Sequence, residues 1–337
     1  MKRIYAILFL GMACAGTVKT QDIHYSQFFN SPLNLNPALT GMFAGDYRFA
    51  ANLRTQWGSV TIPYNTFSLS ADAQNPFGKI HNVGGGFMIN HDQAGDSHFR
   101  TFQMNFTGSY IKPLDKDSTL ILSGGLSVGV SIRSLDYDPL RFDVQYDGYQ
   151  YNSGLPTNET FNRDSRVYPN FNIGGSILKN RGGRQYILGG ISFSNIQKPK
   201  QSYFNTDNIT LDRKMNIHGE GAVTLSDKWD VIPSINIQFQ GKYAEIVPGG
   251  MGRYVLKDEK GIYRAVTAGG WYRFKDAFYL MGGFEMDKMK AGISYDINFS
   301  DLVPASNNRG AFELSLIYII DTYNPKRIMH RICPNDL

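Results

Sequence analysis

Gly125-Leu126-Ser127-Val128-Gly129 has the spacing of a nucleophile elbow, where a serine on a sharp strand-to-helix turn attacks an acyl carbon. Here the five residues lie inside an unbroken alternation of apolar and small polar residues from Thr119 to Arg133. No turn and no helix follows, so Ser127 reads as one more small residue on a polar strand face. His91, Asp92 and His98 flank a link between two strands. A metal needs three or four convergent ligands with partners behind them, and a link of this kind supplies too few. His218 and Glu220 share one face of a strand; a hydrogen-bonded inner pair explains them better than a hydrolase dyad or a calcium ligand pair. Gly84-Gly85-Gly86, Gly174-Gly175, Gly189-Gly190, Gly269-Gly270 and Gly282-Gly283 lack the following helix that a phosphate-binding loop requires. Glycine inside a strand marks a bend or a close approach instead. The two cysteines, Cys14 and Cys333, form no metal cluster. The residue pattern points to no catalytic, cofactor-binding or metal site.

What positions these residues is a period of two. Phe102, Met104, Phe106, Gly108 and Tyr110 alternate with Thr101, Gln103, Asn105, Thr107 and Ser109. Trp229, Val231, Ile235, Ile237 and Phe239 alternate with Asp230, Ser234, Asn236, Gln238 and Gln240, and 291–300 repeats the pattern. Such segments start near Tyr47, Tyr64, Asn82, Phe99, Thr119, Val167, Arg184, Lys214, Trp229, Ala244, Ile262, Ala277, Lys290 and Gly310. The stretch 184–194 alternates poorly, and 244–257 is the least regular of the rest. Many segments run well past the ~5–6 residues of a soluble strand and suit the ~9–11 needed to cross a bilayer at a tilt. A large soluble β-sandwich is the bland alternative. The expected fold is therefore all-β: a transmembrane antiparallel β-barrel of about fourteen strands over 47–320. Links after even strands are short and polar, whereas the two longest, about 134–166 and 195–213, follow odd strands. Outer-membrane barrels have short periplasmic turns and long external loops. The parity agrees with an even strand count, and the expected place is the outer membrane, with both barrel termini periplasmic.

Of 337 residues 19% are charged and 13% aromatic. No apolar run beyond the first twenty residues approaches the ~18 of a spanning helix. Residues 1–20 read as a signal peptide, with Lys2-Arg3 before an apolar core that is too short to span. A lipid-modified Cys14 is the alternative there, although Gly11 stands where a lipobox prefers Leu. Removing Lys2, Arg3 and Lys19 takes the 34 Lys+Arg to 31, against 29 Asp+Glu. No basic block follows, so nucleic acid is not an expected partner. Residues 21–46 have neither helical nor strand period, but are rich in Asn, Ser, Phe and Pro; they are expected to fold back as a plug. Mixed-sign inner charges, among them Arg48, Arg54, Asp72, Arg133, Glu220, Asp230, Glu285, Asp296 and Glu313, suit paired contacts with such a plug. The expected plug and lumen contacts are Tyr25, Phe28, Asn34, Asn36, Pro37, Arg48, Arg54, Arg133, Glu220 and Asp296. Trp57, Trp229 and Trp271 are expected in interface girdles facing lipid. The basic piece 321–337 is expected to hang in the periplasm as a tail.

Gln21-Asp22, Tyr25-Ser26-Gln27-Phe28, Asn34-x-Asn36-Pro37-Ala38-x-Thr40-Gly41, Arg54-x-Gln56-Trp57 and the ending with Cys333-Pro334 together resemble the PorP/SprF family. These are outer-membrane components of the Bacteroidetes type IX secretion and gliding machinery. The likeness covers essentially the whole chain and is strongest over 21–57; the final Asn335-Asp336-Leu337 departs from the aromatic expected after Cys-Pro. The resemblance implies a barrel related to FadL-type transporters, whose plugs also carry an Asn-Pro-Ala element. It implies a non-enzymatic role without cofactor, in secretion or anchoring of a surface protein. The implied partners are periplasmic and lipoprotein components of the secretion or gliding machine, a secreted surface protein or adhesin C-terminal domain, and outer-membrane lipid. A FadL-like channel for a hydrophobic or small solute is the rival reading.

Overall fold

A computed structural model of the chain describes residues 22–56, 62–76, 81–95, 97–158, 163–203, 209–259, 261–299 and 309–322. The leader 1–20, Gln21, Trp57 and the tail from Tyr323, with Cys333-Pro334, lie outside the described residues.

The strands are β1 (Tyr47–Gln56), β2 (Tyr64–Gln74), β3 (Val83–Ala94), β4 (Phe99–Pro113), β5 (Leu120–Ser134), β6 (Ser165–Gly182) and β7 (Gln185–Ser194). They continue as β8 (Lys214–Thr224), β9 (Trp229–Gln240), β10 (Tyr243–Glu259), β11 (Ile262–Arg273), β12 (Ala277–Met286), β13 (Met289–Asn298) and β14 (Arg309–Ile320). Each begins within two residues of the start read from the sequence. Every strand pairs antiparallel with its chain neighbours, and β1 pairs with β14 from Tyr47↔Ile320 to Gln56↔Ala311, which closes the barrel. Closure leaves the sheet no edge, and membrane crossing by strands demands that.

The alternation decides which face goes where. Phe106, Leu126, Val167 and Leu280 lie exposed on the outer surface, whereas Thr107, Ser127, Asn170 and Ser294 are buried inside. In β7 both faces are apolar: Tyr186 and Leu188 point inward, Ile187 and Ile191 outward. In β10 Val247, Met251 and Val255 also face inward, and the register shifts between Val255 and Lys257. The weak alternation of these two strands thus has a physical cause, an inner wall that packs against apolar side chains in the lumen. Trp271 corrects an expectation for the same reason. It does not face lipid but is 1% exposed, and it stacks between Phe29 and Tyr279 with its indole N–H donating to Ser234 Oγ at 2.8 Å. Trp229 is exposed on the outer surface against Tyr254.

The barrel has two unlike ends. The terminal end holds Tyr47 and Ile320 together with the connections after even strands, all short. The loop end holds the connections after odd strands, including 135–164 and 195–213.

Candidate functional site

Residues 22–46 lie inside the barrel and cross it from the loop end to the terminal end. At the loop end the Asp22 N–H donates to Gln240 Oε1 at 3.1 Å, and Asn195 Nδ2 donates to Asp22 Oδ2 at 3.1 Å. At the terminal end the segment runs into β1. It has little regular structure: a 3-10 turn over Phe28–Asn30, one helical turn α1 (Pro32–Leu35), and a second 3-10 turn over Pro37–Leu39. Pro32 and Pro37 open their turns at positions that have no N–H to satisfy. The remaining backbone groups need partners from the wall, because a buried unpaired carbonyl or amide is costly.

In the loop half those partners are ions. The Ser26 and Gln27 N–H groups each donate at 2.9 Å to one oxygen of Glu313. Ser26 Oγ lies 2.9 Å from both oxygens of Asp296. Arg54 bridges the two carboxylates at 3.0 Å each, and Arg273 reaches Asp296 at 3.2 Å and Ser26 Oγ at 3.0 Å. Arg273 Nε lies 3.4 Å from Glu245, and the Tyr279 hydroxyl donates to the Ser26 carbonyl at 2.7 Å. Arg54, Asp296 and Glu313 are each no more than 2% exposed. Of the inner charges expected from the sequence, Arg54, Asp296 and Glu313 thus meet in one cluster with Arg273 and Glu245, drawn from β1, β10, β11, β13 and β14. Asn30 extends it by donating to Ser315 Oγ at 2.9 Å.

In the terminal half the partners are hydroxyls, amides and bare backbone. Ser192, Ser123 and Ser109 donate to the carbonyls of Leu35, Ala38 and Thr40 at 2.9, 2.7 and 2.5 Å. Asn34 is clasped by Ser68 and Asn90 at 2.8 Å. Asn36 is fully buried; its Nδ2 donates to the Gly175 carbonyl at 3.0 Å and meets His218 Nε2 at 3.1 Å, while its Oδ1 caps the Ala38 N–H at 2.9 Å. A Cβ on Gly174 would fall 1.9 Å from Asn36 Oδ1, and one on Gly84 would fall 2.2 Å from the Thr40 carbonyl. These strands must therefore be glycine where the segment lies flat on them. Arg48 closes this half: it chelates Asp72 at 2.8 and 3.0 Å and donates to the Leu39 carbonyl at 2.9 Å, while Asp72 accepts the Gly41 N–H at 2.7 Å.

The other expected contacts divide. Tyr25 and Phe28 are buried, with Phe28 edge-on to Phe29 at 5.2 Å. The Pro37 carbonyl accepts from Thr40 Oγ1 at 2.8 Å. Arg133 lies over the rings of Phe99 and Tyr168 on the wall. Glu220 accepts from the Tyr186 hydroxyl rather than from His218. The contacts expected from the sequence leave out Ser26, Gln27, Asn30 and Thr40, whose residue types alone carry no signal of which wall residue each will meet. Asp92 accepts from Thr66 at 2.6 Å, and His98 lies 3.8 Å from Asp136.

Two spaces flank the segment. A polar pocket of ≈40 Å³ lies toward the loop end, between Asn34 and wall amides such as Asn105 and Asn170. A cavity of ≈690 Å³ lies toward the terminal end, between the apolar underside of the segment (Phe28, Phe29, Leu35, Leu39, Met42) and the β7–β14 wall. Its rim carries Arg184, Asp227, Asp258, Glu259, Asp287 and Asp321.

The family model described as "Type IX secretion system membrane protein PorP/SprF" matches residues 17–318, and so spans the inner segment and all but the last residues of β14. The chain belongs to the PorP/SprF family. No curated protein matches it. Among solved structures it is similar to the Pseudomonas putida toluene transporter TodX, with TM-score 0.50 and 10% identity over 88% of this chain and 94% of that one. It is also similar to the Ralstonia pickettii toluene transporter TbuX, with TM-score 0.49 and 11% identity over 86% and 92%. At 10% identity the likeness to TodX speaks for the barrel fold alone. This PorP/SprF protein is therefore a membrane β-barrel of the outer-membrane kind and a membrane component of type IX secretion.

Proposed function

We infer that this barrel is a non-enzymatic outer-membrane component of type IX secretion or gliding, one that helps secrete or anchor a surface protein and contacts periplasmic partners. The observation that carries this reading is the lumen. An open pore has no use for Ser26, Gln27, Asn36 and Thr40 bonded across to the wall, or for a cluster of charges paired with one another. A closed barrel acts through its faces. The loop end has the long connection 135–164, where Tyr146 and Tyr149 stand exposed in a hairpin bridged at Tyr146↔Tyr151. Exposed tyrosines on a fixed loop suit recognition of a protein surface. In this reading the loops face outward for the secreted client or its adhesin C-terminal domain. The termini face the periplasm, toward lipoprotein and periplasmic partners, and the leader 1–20 is removed. Affinity purification from native membranes tests it: secretion or gliding components and one surface protein should co-purify. Recovery of the barrel alone would sink it. Topology has its own test: a tag near Asn158 should be labelled on intact cells, and a tag after Leu337 only after permeabilisation.

The cavity of ≈690 Å³ with its apolar lining favours one second reading, a channel for a hydrophobic or small solute. Solute uptake lost on gene deletion, with secretion intact, would move the conclusion there.

A further inference from the structure

On the inner face at the loop end, Arg133 of β5 stands directly across the ladder from Arg166 of β6. Like charges set opposite each other destabilise a sheet, so the pair calls for an anion between them. Among the described residues no carboxylate forms an ion pair with either guanidinium. The acids within electrostatic reach of Arg133 are Asp22 and Asp92, which accept instead from Asn195 and Thr66. Asp164, two residues before Arg166, is exposed and pairs with neither arginine. Arg133 is 8% exposed, and its buried Nε has no hydrogen-bond partner. Its guanidinium lies 5.5 Å from the ring centre of Phe99 and 6.0 Å from that of Tyr168. Ring faces hold the guanidinium plane and leave the N–H groups along its edge uncommitted. Arg166 makes one long bond, from Nε to the Lys200 carbonyl at 3.4 Å.

Neutral donors beside them share this condition. The Tyr168 hydroxyl, the Tyr203 hydroxyl and Gln201 Nε2 are buried without a hydrogen-bond partner. Tyr203 lies within electrostatic reach of both Arg133 and Tyr168, and the Gln201 amide approaches the Tyr168 hydroxyl without bonding geometry. Buried donors that lack an acceptor are costly. Elsewhere the inner wall pairs its cations, Arg48 with Asp72 and Arg54 with Glu313. Here two arginines, two phenols and an amide from β5, β6 and the 195–213 connection lie together with nothing to accept from them.

We propose that Arg133 and Arg166, with Tyr168, Gln201 and Tyr203, form a receptor site for a carboxylate, presented at the loop mouth by the protein that docks there. The guanidinium fork matches a carboxylate with two parallel bonds, and phenol and amide donors complete its shell. The site faces the inside of the barrel, away from the lipid headgroups that surround its outer wall. It deepens the loop-end reading given above and rests on it for the ligand being a protein.

The test uses the full-length protein in detergent, with folding checked by heat-modifiable migration. It is titrated calorimetrically with pentaglutamate and with pentaglutamine, both acetylated and amidated at their ends. Pentaglutamate should bind and pentaglutamine should not. Arg133→Gln should weaken binding about tenfold or more, and Arg166→Gln by a smaller factor, because each loses charge-assisted bonds. Arg181→Gln, exposed at the terminal end, should change nothing. Stability gives a second readout: Arg133→Gln should unfold at the parent's temperature or above it, since it removes one of two opposed like charges and breaks no ion pair. Equal affinity for the two peptides, or unchanged affinity in Arg133→Gln, would overturn the proposal. A clear loss of stability in Arg133→Gln would overturn it too, by making the arginine a strut of the wall. Inorganic phosphate that binds as tightly as pentaglutamate would overturn the protein ligand in favour of a free small anion. Co-purification of a surface protein is scored separately, so either result can fail without the other.

Discussion

Residues 22–30 and residues 31–46 fill the same lumen by different means. The first stretch is held by charge: two backbone N–H groups on Glu313, a serine on Asp296, and two arginines that neutralise both acids. The second is held mainly by shape and hydroxyls, with serines on carbonyls, Asn36 laid over Gly174 and Thr40 over Gly84, and meets an ion pair only at its end, Arg48–Asp72. A buried ion cluster tolerates no missing member, because the remaining charge is stranded. A hydroxyl wall loses one bond at a time, each worth about 0.5–1.5 kcal/mol net. The loop half should therefore fail abruptly on mutation, and the terminal half by degrees except at Arg48–Asp72.

The sharpest way to break this contrast is to remove both halves. Deleting 24–40 with the leader retained should turn a nearly closed barrel into a conducting one in planar bilayers. It should also impair the surface client more than it impairs barrel assembly. A parent that already conducts like a wide porin would end the idea of a filled lumen. Next in size is Arg54→Ala, which strands Asp296 and Glu313 together; a loss of about 3–5 kcal/mol is expected in denaturant unfolding. A loss below that of a single hydrogen bond would mean that water replaces the guanidinium. In the other half, Gly174→Ala drives a methyl into Asn36 Oδ1 and should cost about 1–3 kcal/mol. Gly282→Ala, with nothing within 4 Å of its Cβ, should be near neutral. Equal effects would show that Asn36 yields freely.

The smallest effect is expected outside both halves. In the β4–β5 turn the Asp115 carboxylate accepts from the Thr119 hydroxyl and the Leu120 N–H, which hold its pKa below the usual aspartate value. Its contribution is present above the ordinary carboxylate range and disappears as pH falls through the lowered folded value. Asp115→Asn should flatten that part of an acid-stability profile and leave conductance unchanged.

Much of this architecture is legible in the sequence, for a plain reason: a lipid-facing outer surface and a polar inner face write their alternation into every strand. The pattern blurs in β7 and β10, where Tyr186, Leu188, Val247 and Met251 meet apolar side chains inside. It misleads at Trp271, an aromatic near a strand end that looks like a girdle residue and is a lumen one. The asparagines of the inner segment announce a residue built to donate and accept. Which partner each takes depends on residues 34, 56, 139 or 182 positions away, and spacing along the chain does not encode that.

The ion cluster also has a bearing on assembly. Arg54 belongs to the first strand and Glu313 to the last, so their pair is made across the seam that closes the sheet, and Ser26 reaches Glu313 over a sequence separation of 287 residues. Contacts that distant form late, because the intervening loop must be closed first. A barrel that attempts to zip shut with the inner segment unseated brings Arg54, Asp296 and Glu313 together without Ser26 and Gln27 to complete their shells. The seam is thus coupled to its cargo: closure is favoured once residues 26–27 are in place, and the ring that results is threaded from birth by the stretch of chain that leads into its own first strand.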